Sequence, residues 1–213
     1  MRNILPLLLL AALLSSCSSQ RTEYWPDGTK KSEVTVSSGK YEGPATYYYQ
    51  SGSKQMTCTY RNDKLEGELR RFYPDGQVQT EESYKNGQLD GPVRELDPLG
   101  LPFAESHYRN GKLHGRHIEY YRNRRIKIEG DYLNGDHDGI WLYYDTDGSV
   151  IGQGTFSKGD GIQKEFYPDG TLRRITRYVK NVKQGEETEF RPDGSPETVN
   201  LYENGKRVSS VRK

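Results

Sequence analysis

Apolar side chains fall along this chain in columns rather than in continuous runs. Aligned on Gly28, Gly52, Gly76, Gly100, Arg124, Gly148, Gly170 and Gly194, the eighth residue onward is Val36, Tyr60, Tyr84, Tyr108, Tyr132, Phe156, Tyr178 and Tyr202. A further glycine column reads Gly43, Gly67, Gly91, Gly115, Gly139, Gly161 and Gly185, and five residues past each stands Tyr48, Phe72, Leu96, Tyr120, Tyr144, Phe166 or Phe190. The period is 24 residues except for one 22-residue step, where two residues are missing between Gly159 and Gly161. Eight copies, the last truncated, therefore fill residues 24–213, and a period of this length marks a repeat architecture.

Each copy carries two turn signals that divide it into two strands. "FYPDG" at 72–76 returns at 166–170, with "YWPDG" at 24–28 and "EFRPDG" at 189–194 as close variants. Pro presets φ, Asp bonds its own backbone and Gly accepts positive φ, so these are hairpin corners. Asn-Gly at 86–87, 110–111, 134–135 and 204–205 marks the opposite corners. Gly or Asn every ten or so residues interrupts any helix before it reaches a stable length. The pattern predicts an all-β chain, an elongated single-layer antiparallel meander of β-hairpins. At ~4.8 Å between strands the ribbon is on the order of 75 Å long. Phe72, Tyr84, Tyr108, Tyr120, Tyr132, Tyr144 and Phe166 are expected to form its aromatic ladders, each cross-strand pair worth roughly 0.2–1 kcal/mol.

"YKNGQLDG" at 84–91, "YRNGKLHG" at 108–115 and "YLNGDHDG" at 132–139 resemble the MORN repeat, in particular its bacterial variant in chains labelled antitoxin-like. The resemblance covers almost all of the chain beyond residue 23 and implies an interaction or membrane-associated scaffold without catalysis. Asp63, Asn181 and Ser209 depart from its pattern.

The N-terminus is of another kind. One basic residue, Arg2, precedes an apolar run from Ile4 to Leu14 that is too short to span a bilayer, which reads as an export signal over residues 1–16. Its end, Leu14-Ser15-Ser16-Cys17, resembles the lipobox of bacterial lipoproteins. Cys17 is then the lipid attachment site, residues 17–23 the lipidated Cys and a short linker, and the location the cell envelope. Ser18 after the Cys implies the outer membrane, facing the periplasm, if the organism has one. Lipidation leaves Cys58 without a disulfide partner, so stability has to come from the fold itself.

Composition adds a limit. Only 32% of residues are apolar and 29% are charged, yet 17 Tyr, 5 Phe and 2 Trp are too many rings for a solvated tail. Without the signal, 30 basic residues face 30 acidic ones, and no basic field recommends nucleic acid. His107, His114 and His117 lie within eleven residues, but the register separates them, and they read as incidental surface residues with no metal. An acidic column before the third glycine, Glu42, Glu66, Asp90, Asp138 and Asp160, reads as side chains that cap turns and keep an edge soluble. No phosphate loop, serine elbow or Cys/His arrangement appears, so neither an enzyme, a cofactor nor a small-molecule substrate is expected.

The expected function is a non-catalytic envelope lipoprotein that binds an envelope protein or a membrane surface. An immunity or antitoxin role and cell-wall glycan binding through regularly spaced rings are the alternatives. Two corners abandon the turn chemistry the others keep: "DPLGLP" puts Leu99 and Leu101 around Gly100, and "YRNRRIK" brings Arg122, Arg124, Arg125 and Lys127. In a repeat array such departures are often where binding concentrates, and these six residues are the candidate partner-binding site.

Overall fold

The computed structural model describes residues 18–213, and every regular element among them is a strand. Each strand pairs antiparallel with its sequence neighbours, from Ser18–Tyr24 at one edge to Lys206–Arg212 at the other. Lys64–Leu65 and Gly67–Phe72 both pair with Lys54–Arg61, two pieces of one run split at Glu66. The result is a single open meander, as the repeat predicts. Cys17 and the export segment lie outside the described residues. The stretch expected to be a linker does not behave as one. From Ser18 it is a strand registered on Lys30–Ser37, covering backbone groups of that strand that would otherwise lie at the sheet edge.

Both turn columns keep one geometry throughout. At every corner the residue at the glycine position donates its N–H to the carbonyl three back, as Gly76 does to Tyr73 at 2.9 Å and Arg124 to Tyr121 at 2.9 Å. This is a type I turn closed by a left-handed residue. Arg124 holds that conformation, at φ 68°, without being glycine. The opposite turns place two consecutive residues at positive φ, such as Asn86 at 52° and Gly87 at 82°, the type I′ hairpin. Asp63 at 65° and Asn181 at 63° replace the glycine there with the residue types that tolerate this region best.

The third glycine marks a two-residue bulge. Val36 pairs with Tyr41 but Val34 with Ala45, so the return strand carries two extra residues around Gly43. The 22-residue copy lacks them, and its ladder runs without a shift from Ser157↔Asp160 to Gly152↔Glu165. The two missing residues are the bulge. Gly161 is accordingly not left-handed. It is needed for closeness instead, since a Cβ there would stand 2.3 Å from Thr155 O.

One face holds the core, as a row that crosses the strands. Its first members, Val34, Ala45, Cys58 and Leu69, are buried against Tyr41, Tyr47, Tyr60 and Tyr84. Further on, the row runs Leu69, Glu82, Val93, Ser106, His117 and Gly130, then Trp141, Gly154, Gln163, Thr176, Glu187 and Asn200. Tyr60, Tyr84, Tyr108, Tyr132, Phe156 and Tyr178 flank it on the same face. These rings lie over the sheet and take the place of a second layer. Burial, then the Glu82 carboxylate that it donates to, pushes the Tyr84 phenol up to about 12. Trp141, 2% exposed, lies on the backbone of Gly130, where a Cβ would meet its ring at 2.2 Å. The second expected ladder is on the opposite face, where Tyr48 and Tyr144 donate to Glu33 and Glu129.

Neighbouring copies are stitched at both rims. Tyr49, Tyr73, Tyr121 and Tyr167 stand three residues before their corner positions Gly52, Gly76, Arg124 and Gly170 and donate to the carbonyls of Phe72, Leu96, Tyr144 and Phe190, at 2.7–2.9 Å. At the other rim the acidic column caps turns, but those of the following copy: Glu42 accepts from Asn62 N, Glu66 from Asn86 N, Asp138 from Lys158 N and Asp160 from Lys180 N.

Two substitutions test this account by urea denaturation. Tyr73→Phe keeps the ring and removes one hydrogen bond, and should cost about 0.5–1.5 kcal/mol. Gly130→Ala overpacks Trp141 and should cost roughly 1–3 kcal/mol, with a Gly130→Ala/Trp141→Ala double variant less destabilised than the sum of the two changes.

Candidate functional site

The rim of Pro-Asp-Gly corners is where the array breaks its own pattern. Three residues before each corner position stand Trp25, Tyr49, Tyr73, Asp97, Tyr121, Asp145, Tyr167 and Arg191. Where the residue is Tyr, its ring crosses to the next copy. Asp97 cannot do this. Its carboxylate turns inward and accepts the N–H groups of Leu99 at 2.9 Å and Leu101 at 3.0 Å. Between the fourth and fifth corners an open groove of about 490 Å³ remains, walled by Leu99, Leu101, Phe103, Tyr120, Arg122 and Arg124. Leu99 is 80% exposed and Phe103 43%. A second groove, of about 330 Å³, opens between the sixth and seventh corners, where the ladder residue is Asp145, and Tyr143, Ile151, Phe166 and Pro168 line it.

Of the six residues singled out in the sequence, the structure brings Leu99, Leu101, Arg122 and Arg124 to one groove. Arg125 goes elsewhere, donating to the carbonyls of Thr146 and Asp147 at the next corner. Lys127 is paired with Glu119 at 3.0 Å. Arg122 and Arg124 are exposed and form no ion pair among the described residues. Phe103 and Tyr120 were not expected at this site. Phe103 follows a Pro in the first turn-exit position, and Asp97, which with Asp145 and Arg191 interrupts a column of rings, was the signal that could have found the groove.

Other groups that could carry chemistry serve packing. Ser106 Oγ is 2.8 Å from His117 Nδ1, and His117 Nε2 is 3.6 Å from Glu119. The order Ser, His, Glu resembles a hydrolase relay, but Ser106 is 7% exposed and lines neither groove, so the contact fixes the ring within the core row. His117 is thus no surface residue, and it stands beside Tyr132 and Trp141. His114 faces Asn134 of the next copy and His107 is exposed. His137 stacks on Tyr132, and burial pulls its pKa down. Its N–H donates to Asn181, whose amide reaches Asp136, a bridge over the short copy. Among the described residues no three His, Cys, Asp or Glu side chains converge as a metal ion requires.

The family comparison agrees with this architecture. Residues 41–62, 65–86, 138–158 and 159–180 match the MORN repeat variant model. The chain carries MORN repeats. The matched MORN units carry the bulge glycines Gly43, Gly67 and Gly139, and the last of them is the bulge-free copy. Among curated proteins, none matches this chain. Two solved structures are similar over 86% and 89% of it: a chain of the TcdB2-TccC3-Cdc42 crystal structure and one of TcdB2-TccC3, both at 11% identity and a TM-score of 0.20. The MORN chain spans only 13% and 14% of those two chains, and neither likeness is carried into its function.

Glu187 is the one deeply buried acid of the MORN core row, 2% exposed, held by Thr176 Oγ1 at 2.8 Å and by the Lys183 ammonium. Burial pushes its carboxyl up, but the hydrogen bonds from Lys183 and Thr176 outweigh this and hold it below the usual range. A depressed folded pKa stabilises above the unfolded value, near 4.5, and that stabilisation is lost as pH falls through the folded value. Glu187→Gln should therefore cost roughly 2–3 kcal/mol at pH 7, less than a fully buried pair because Lys183 is partly solvated. In urea melts the gap between wild type and variant should narrow from pH 5 to pH 3.

Proposed function

We propose that this MORN repeat array is a lipid-anchored, non-catalytic scaffold of the bacterial envelope, which holds a partner protein on its corner rim. The observation that carries the reading is the groove between the fourth and fifth corners, apolar at its walls and lined by two exposed cations that form no ion pair among the described residues. A thin sheet offers grooves and faces in place of the enclosed polar pocket that catalysis needs. The lipobox-like stretch ending at Cys17 supports the anchor; a diacylglycerol with an added acyl chain, at about 0.8 kcal/mol per buried methylene, is ample for stable attachment. A protein partner is favoured over a glycan because Tyr60, Tyr84, Tyr108 and Tyr132 are packed: Tyr60 lies 5.3 Å from Tyr41, and burial raises all four phenols. Rings so engaged do not offer sugars a flat platform.

Two experiments check this. Cys17→Ser should leave the protein unprocessed and shift it out of the detergent-soluble lipoprotein fraction; unchanged processing and membrane attachment would exclude the anchor. A photo-crosslinker at Leu99 should capture a discrete protein in intact envelopes, one at Asp169 of the seventh corner should not, and Arg122→Glu/Arg124→Glu should reduce the yield at least tenfold with Tm unchanged. Equal yields at the two corners would remove the site.

A further inference from the structure

The repeats themselves show what fits the groove. In four copies a phenol crosses from one corner to the next and donates to the carbonyl just before it: Tyr73 to Leu96 O at 2.9 Å and Tyr121 to Tyr144 O at 2.7 Å are the pairs on either side of the groove. The same place in the fourth copy is served by Asp97, and the carbonyl in the equivalent position is that of Tyr120. The groove thus has apolar walls in Leu99, Leu101 and Tyr120, and by the repeat register the Tyr120 carbonyl corresponds to the acceptor that neighbouring copies satisfy with a phenol. Arg122 and Arg124, both exposed, also line it. They add a preference the other copies lack, since the exposed cations attract carboxylates next to whatever enters.

We propose that this groove is a socket for a tyrosine side chain presented by an acidic segment of a partner protein. The ring lies against Leu99, Leu101 and Tyr120, the phenol donates to Tyr120 O, and flanking Asp or Glu residues meet Arg122 and Arg124. The partner thereby supplies, in trans, the ring that Tyr49, Tyr73, Tyr121 and Tyr167 supply within the chain. The inference rests on the reading of the corner rim as a protein-binding surface, and it narrows that surface to one kind of residue.

The test uses the full chain and three fluorescein-labelled peptides, EDYDE, EDFDE and EDADE, in polarisation titrations. EDYDE should bind at least tenfold more tightly than EDADE, with EDFDE between them because it keeps the ring and loses the hydrogen bond. Asp97→Tyr, which fills the socket from the chain's own backbone, should abolish EDYDE binding while raising the urea midpoint as a fifth rung joins the ladder. Should that variant misfold, the peptide comparison on the unaltered protein still decides. Equal affinity for EDYDE and EDADE overturns the socket, as does undiminished EDYDE binding by a folded Asp97→Tyr variant. Binding to vesicles of phosphatidylglycerol and phosphatidylcholine at 1:3 that Arg122→Glu/Arg124→Glu abolishes, without peptide binding, would assign the groove to a membrane surface instead. The Leu99 crosslink separates the two levels. A crosslink that survives Asp97→Tyr at full yield retains the rim as a protein site and rejects the tyrosine, whereas no crosslink in either protein rejects the rim.

Discussion

A single β-sheet with water on both sides has no opposing layer to bury its apolar surface, and this chain builds that layer from its own side chains. Tyr and Trp suit the task because a ring laid flat covers several backbone positions at once while its polar end still reaches a partner. Trp141 over Gly130 is the extreme case, with the glycine stripped to backbone so that the indole can lie on it. Val34, Ala45, Cys58 and Leu69 do the same with small side chains beneath large ones. A composition of only 32% apolar residues is enough because the surface to be covered is one row wide.

The core row explains why polar residues sit where a sandwich would have only aliphatic ones. Glu82, Ser106, His117, Thr176, Glu187 and Asn200 all belong to the same line, with Val93, Trp141 and glycines between them. Neighbours on the same face meet most of their hydrogen bonds, Glu82 through Arg71, Thr80 and Tyr84 and Glu187 through Thr176 and Lys183, whereas Asn200 Oδ1 is buried with no partner among the described residues. The other face is dressed with alternating charge, Arg70, Glu81, Arg94 and Glu105 in one cross-strand line, 3.2–3.6 Å from carrier to carrier. Pairs so exposed add little stability; they keep that face wet and discourage stacking of one ribbon on another.

The turns, the period and the ring columns were legible because each depends on a local rule with a residue signature: positive φ selects Gly, Asn or Asp, and a packed rim selects rings. Contacts between copies were legible only in part. The acidic column was readable as a turn cap, but not that it caps the turn twenty residues on. Leu99, Arg122 and Arg124 stood out as departures. Arg125 and Lys127 stood out equally, and only coordinates show them spent on Asp147 and Glu119. The edge strand Ser18–Tyr24 was not legible because no turn signal in the sequence precedes it to announce a hairpin. The burial of His117 was not legible because a row perpendicular to the chain leaves no periodic trace along it.

Nearly all the bonds between copies join one unit to the next, so a spare 24-residue unit inserted at most joints would find every donor and acceptor waiting. The bridge from Asn181 to Asp136 and His137 is different, because it passes over the shortened copy and ties residues 44 and 45 positions apart. An added unit there would pull the amide away from both partners. The array can therefore lengthen or shorten by whole units on either side of this joint, as a rope is spliced, while the segment from Asp136 to Asn181 has to be inherited as one piece.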